Sequence, residues 1–191
     1  MRKQLDKIIT VCTIFLLIIF PIKTLNAAEI VSWQNRPSLT IFLSIDCRFA
    51  FETIATVKEL SDKHTGKLNI LYKYLPNPSS TNITEEKALA LSESYGSFIQ
   101  FYRALSEQPA PRSKSTILKT ARRIGFPEEF YLDLQKPLAS VALEQASVLT
   151  RSLAIKYSPT ILLKGIKLEG AKDVLELEAI LQFTGANHET Y

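Results

Sequence analysis

The stretch LTIFLSI (residues 39–45) constrains this chain more than any other. It runs almost without polar interruption and is rich in β-branched and aromatic side chains. A strand with one face in water alternates apolar and polar residues. An unbroken run needs both faces covered, which places it inside a parallel or mixed sheet. The residues that follow fix more. From Cys47 the spacing changes: Phe51, Ile54, Val57 and Leu60 recur every three residues, with Glu52, Lys58, Glu59 and Asp62 between them. That is an amphipathic helix, expected to open at Cys47 and close at Gly66. KLNILYKYL (67–75) is a second strand, stopped by Pro76 and the PNPSSTN loop. A strand, a helix and a strand with short connections make a parallel crossover unit.

The middle of the chain reads as helical. Thr84 is a good N-cap, with Glu85 and Glu86 in the positive first turn, and the helix runs to about Ser106 with Gly96 as a weak point. QPAPR breaks it. A second helix spans Ser115 to Ile124 and ends at Gly125, Pro127 suits the first turn of a third, and Pro137 that of a fourth reaching about Lys156. PTILLKG (159–165) and IKLEG (166–170) are short strands around a Lys164-Gly165 hairpin signal, and Asp173 caps a last helix to about Phe183. A chain of 191 residues suits one well-cored domain. Gathering the β segments into one sheet gives an α/β fold. The helices, about 83–156, are then an insertion between a β-α-β half and a β-β-α half.

The first 27 residues stand apart. MRKQLDK is basic, IITVCTIFLLIIF is apolar over a length short for a membrane span, and TLNAA ends in small residues. This is the pattern of a secretory signal over 1–27, cleaved after Ala27 or nearly as well after Ala28, with a domain over 28–191. The segment carries Arg2, Lys3, Lys7 and Lys23 against Asp6, so only +1 of the formal net charge of +4 belongs to the domain. No surface basic enough to track nucleic-acid phosphates is expected, and no membrane association beyond the signal. The expected address is secreted or periplasmic. Cleavage also removes Cys12 and leaves Cys47 alone in a compartment that favours disulfides.

A lone cysteine there is a reactive thiol, an intermolecular bond or an inert buried hydrophobe, and on count alone the inert reading is favoured. Its place at a helix start shifts that balance. Unpaired backbone N–H groups and the positive dipole end favour thiolate, Arg48 pushes the same way, and Asp46 pushes against it. His64 lies 17 residues further along the same expected helix, too far to serve as base, and His188 is near the end of the chain. Too few cysteines and histidines remain for a zinc site, so no metal and no cofactor are expected. Asn82-Ile83-Thr84 matches a glycosylation sequon, which a loop and helix cap explain as well. Pro159 stands at a strand start, where proline is tolerated and ordinarily trans.

Together, SIDCRFAFE (44–52), the helical middle and the run AIKYSPTILLKGIKLEGAKDVLELEAIL resemble the DsbA-like branch of the thioredoxin-fold thiol–disulfide oxidoreductases, over about residues 38–183. In that family a buried strand leads into C-x-x-C at a helix start, and a cis-proline turn faces it. The resemblance implies that Cys47 is the first, exposed cysteine, and that Ser158 and a cis Pro159 face it and bind substrate. It places Ala50 where the second, resolving cysteine belongs, so no internal disulfide can form. Two functions follow. One is monothiol thiol–disulfide exchange through mixed disulfides at Cys47, with protein thiols or disulfides as partners and the second thiol coming from glutathione or a partner protein. The other is a degenerate thioredoxin-fold module for binding, chaperoning or envelope assembly.

Overall fold

The computed structural model describes residues 38–185. The expected signal segment, Cys12 and His188 lie outside them. Four strands, β1 (Ser38–Leu43), β2 (Asn69–Tyr74), β3 (Thr160–Leu163) and β4 (Ile166–Glu169), form one sheet in the order β2-β1-β3-β4. Helix α1 (Ala50–Lys63) joins β1 to β2, which pair in parallel from Ser38↔Asn69 to Leu43↔Tyr74. Five helices, α2 (Ile83–Ser94), α3 (Phe98–Ser106), α4 (Lys114–Arg123), α5 (Glu128–Leu134) and α6 (Pro137–Ser152), separate β2 from β3. Strand β3 returns antiparallel to β1, with Ile41 opposite Ile161, and a two-residue turn at Lys164-Gly165, both with positive φ, leads into β4. Helix α7 (Val174–Gly185) closes the fold. The chain is α/β, with a helical insertion between a β-α-β half and a β-β-α half.

Strand β1 is central and buried on both faces. Leu39, Ile41 and Leu43 share one face and join the buried side of α1 and Leu177 and Leu181 of α7 in the main core. Phe42, on the other face, packs with Leu75, Ile155 and Leu162. The insertion has its own aromatic centre: Phe126 stacks on Phe130 at 4.0 Å between ring centroids, with Tyr95 and Phe101 edge-on to both.

Several boundaries differ from the sequence reading, each for a local reason. The helix expected over 84–106 is two helices. Gly96 (φ +64°) donates to Glu93 O and Ser97 N donates to Ser92 O, the paired bonds of a left-handed helix terminus, so α2 stops outright. The cap of α2 is Asn82, whose Oδ1 accepts from Glu85 N, and not Thr84. Helix α6 ends at Ser152 in the same kind of terminus, with Ala154 at φ +50°, Ala154 N bonded to Arg151 O and Ile155 N to Thr150 O. The buried face of α1 is Ala50, Thr53, Ile54, Val57 and Leu60, which leaves Phe51 exposed. Asp173 caps α7 reciprocally: its Oδ1 accepts from Glu176 N at 2.8 Å and its own N–H donates to Glu176 Oε2 at 3.0 Å.

Candidate functional site

The C-terminal end of β1, the C-terminal end of β2 and the N-terminal end of β3 lie at the same end of the sheet, and Cys47 sits there. The sequence reading puts Cys47 at the opening of the helix. In the structure α1 begins three residues later, at Ala50, with Phe49 as its N-cap. Cys47 belongs to the preceding turn. Its N–H donates to Ser44 O at 3.4 Å, and its carbonyl accepts Ala50 N at 3.1 Å. The thiol is thus ahead of the helix, whose dipole acts mainly within its own first turn. Asp46, immediately before it, is at φ +62°, the left-handed region that aspartate and asparagine enter more readily than most residues.

The half-buried Cys47 thiol donates to the carbonyl oxygen of Ser158 at 3.2 Å. The Ser158–Pro159 peptide bond is cis. The hydroxyl of Ser158 accepts from Ser44 N at 2.9 Å, so one residue tethers the end of β1 through its side chain and meets the thiol through its backbone. Ala50 is fully buried.

The charges flanking the thiol are engaged elsewhere. The Asp46 carboxylate is bound by both terminal nitrogens of Arg112, with Nη1–Oδ2 at 3.1 Å. The guanidinium of Arg48 lies over the Phe49 ring, 4.5 Å from its centroid. His64 caps the far end of α1, where its Nε2 is 3.9 Å from Glu178 Oε1.

Five residues that the sequence reading does not place at the site complete it. Ser44 is the last polar residue of the opening apolar run and accepts from both Cys47 N and Tyr102. The fully buried Tyr102 donates its hydroxyl to Ser44 O at 2.9 Å, and burial, then charge at Cys47, pushes that hydroxyl upward from its ordinary titration range. Arg112, buried in the loop after the cis Ala110–Pro111 bond, also donates Nε–H to Leu105 O at 2.7 Å and Nη1–H to Glu85 Oε1 at 2.9 Å. Burial raises the Glu85 carboxyl above its ordinary range, while Arg112 pulls it back down. Asn82 ties off the cluster, donating Nδ2–H to Glu85 Oε2 at 2.9 Å and to Arg112 O at 2.8 Å. A composition-based reading has no means of finding Arg112. It follows a proline in a break between helices, and only the fold carries it 66 residues back to Asp46. Glu85 has a signal, an acid in a first helical turn, but that signal is fully explained by the dipole. Among the described residues no cluster of His, Cys, Asp and Glu is placed to hold a metal.

No protein-family model matches this chain, and no curated protein does. Solved structures do. The thiol–disulfide exchange protein α-DsbA2 from Wolbachia pipientis superposes with a TM-score of 0.63 at 18% identity, over 79% of this chain and 83% of that one. A thioredoxin-like oxidoreductase from Silicibacter pomeroyi gives 0.63 at 17%, over 78% and 87%. The oxidoreductase DsbA from Xylella fastidiosa gives 0.62 at 8%, over 82% and 88%. The chain has a DsbA-like thioredoxin fold. At these identities the likeness concerns the fold, and function has to be argued from the site itself. In this DsbA-like fold Cys47 and the cis Ser158–Pro159 bond lie side by side, and the alanine at position 50 is packed beneath the thiol-bearing turn.

Proposed function

We propose that this protein carries out monothiol thiol–disulfide exchange at Cys47, after export to the periplasm or outside the cell. The observation that carries the reading is the 3.2 Å contact between the Cys47 thiol and the carbonyl of a cis Ser158–Pro159 peptide. Cys47 packs against the apolar core on one side, yet it is only half-buried and its sulfur meets a backbone oxygen at the strand ends. The basic, apolar and small-residue segments of 1–27 support the address.

In the proposed reaction Cys47, as thiolate, attacks one sulfur of a client disulfide. The client's other sulfur leaves with the electron pair and takes up a proton, and Cys47 remains joined to the client. Running the same step backwards transfers the disulfide in the other direction. Breaking the thiol's bond to Ser158 O frees that carbonyl to accept a backbone N–H from the client beside the new disulfide. In a two-cysteine site a neighbouring thiolate would then cut the adduct at high effective concentration. Ala50 supplies no sulfur, so release waits for a thiol from outside: glutathione or a partner protein.

The test compares wild type, Ala50→Cys and Cys47→Ser on a reduced and an oxidised model protein. Wild type is expected to accumulate mixed disulfides, and Cys47→Ser none. Ala50→Cys is expected to form an internal disulfide, because the Ala50 N to Cys47 O bond closes a turn that brings these residues within bridging range. Its adducts should be shorter-lived. Absence of wild-type adducts, together with no internal bond in Ala50→Cys, would refute exchange and leave a binding module whose cysteine is inert.

A further inference from the structure

Beside the thiol a groove of about 470 Å³ opens between the end of β2 and the last turns of α6. Its wall reaches Ser44 and Ser158, both hydrogen-bonded to Cys47. Its floor is apolar, with Leu75 and Ile155 both nearly buried. Among the described residues its charged lining is Arg151 and Lys156, with no carboxylate. Arg151 has an exposed partner, Glu144, at 2.9 Å on the rim, while Lys156 has no ion pair among the described residues. A helix C-terminus ordinarily repels anions through its free carbonyls. Here those of Leu149, Thr150 and Arg151 are occupied by Leu153 N, Ile155 N and Ala154 N. The remaining bias of the groove is positive.

From this geometry we infer that the groove is the binding site for the resolving thiol, a small anionic thiol of the glutathione class, with Arg151 and Lys156 holding its carboxylates. The inference rests on the exchange reading above and gives its missing second sulfur a place. The volume suits a tripeptide, within the range in which small ligands are held. The cations Arg151 and Lys156 line the groove together with Ser158, whose carbonyl meets the Cys47 thiol, which suits a molecule carrying both carboxylates and a sulfur. Holding it there turns a bimolecular release into a local one.

The chemistry balances over two thiols. The first attacks the Cys47 sulfur of the adduct as thiolate. The bond between Cys47 and the client breaks, the client sulfur leaves with the electron pair and is protonated, and Cys47 is joined to the small thiol. A second molecule attacks the outer sulfur of that bond, which frees reduced Cys47 and gives the disulfide-linked small-thiol dimer. The client sulfur is reduced, and two small thiols are oxidised.

Binding is tested with S-methylglutathione, which cannot exchange. Added to wild type and to Cys47→Ser, it is expected to shift the amide resonances of Ser147, Lys156 and Ser158 in both. No shift at millimolar ligand, or shifts confined to other faces, would overturn the assignment whatever Cys47 does. The kinetic arm measures release of a preformed adduct by glutathione and by neutral 2-mercaptoethanol at equal thiolate concentration. Wild type should favour glutathione. In Arg151→Gln/Lys156→Gln the ratio of the two rates should fall about three- to tenfold, the size expected of two exposed charge contacts. An unchanged ratio would overturn the groove as the thiol site. Persistent S-methylglutathione binding by a protein that forms no adducts would sink the exchange reading and leave the groove standing as an anion site.

Discussion

Arg112 reaches the turn that carries Cys47 from the loop between α3 and α4. It is almost fully buried and meets Asp46, Glu85 and the Leu105 carbonyl at once. The two carboxylates are not equivalent: the Glu85 side chain is 7% exposed and that of Asp46 52%. Removing the cation therefore strands one buried acid and one that water can still reach. Arg112→Met is expected to lower stability by about 3 kcal/mol in urea unfolding, the lower end of what breaking a buried pair costs. Asp46→Asn should cost under about 1 kcal/mol, because asparagine tolerates the left-handed backbone and the half-exposed charge contributes little. Equal losses from the two would show that Glu85 is not the partner that matters. At this scale the meeting of Cys47 with a cis Ser158–Pro159 bond was legible only through the family resemblance, since the residues alone leave Pro159 an ordinary trans proline. The sequence left Ser44, Tyr102 and Arg112 hidden, because each acts through a backbone atom or a partner more than 50 residues away.

Among the elements, strands and the hairpin were easier to read than helix ends. A continuous apolar run and Lys164-Gly165 have few alternative conformations to adopt, whereas 84–106 has helical spacing on both sides of Gly96 and differs only in one backbone angle. Ending α2 there has a use. Tyr95, its C-cap, turns its ring into Phe126 and Phe130 and donates its hydroxyl to Asp133 Oδ2 of α5 at 2.8 Å. That bond, with a second from Lys136, holds the Asp133 carboxyl below its ordinary range. A carboxyl lowered in the folded state adds stability above its unfolded titration range, and that stability is lost as pH falls through the folded one. Tyr95→Phe should therefore be less stable than wild type at neutral pH, and the gap should narrow as the solution is acidified through Asp133's titration. Thermal unfolding of both proteins across the acid range measures this. A gap constant with pH would mean that the Tyr95 hydroxyl acts independently of the Asp133 charge, and no gap at all that Tyr95 contributes only through its ring.

For the molecule as a whole, sheet order decides what is held most firmly. Strands β1 and β3 lie inside, with β2 and β4 at the edges. The slowest-exchanging backbone amides are expected in β1 and β3, and those on the outer sides of β2 and β4 should exchange through smaller openings. Equal protection across all four strands would indicate a single all-or-none opening of the sheet. The α/β class and the inserted helices were legible at this scale because the β segments bracket the helical middle. The sheet order itself was not, since no pattern within one strand states which neighbour it will have.

The contact between Cys47 and Ser158 spans 111 residues. A ribosome adding about 5–20 residues per second therefore completes the thiol roughly 6–22 s before it completes the residue that will shield it. Throughout that interval the sulfur has neither its carbonyl partner nor the β3 strand beside β1, and any oxidant or stray disulfide meets it bare. In a two-cysteine relative an early internal bond could hide both sulfurs. Here nothing in the nascent domain can, so the fidelity of the finished site depends on what accompanies the chain while it is being made.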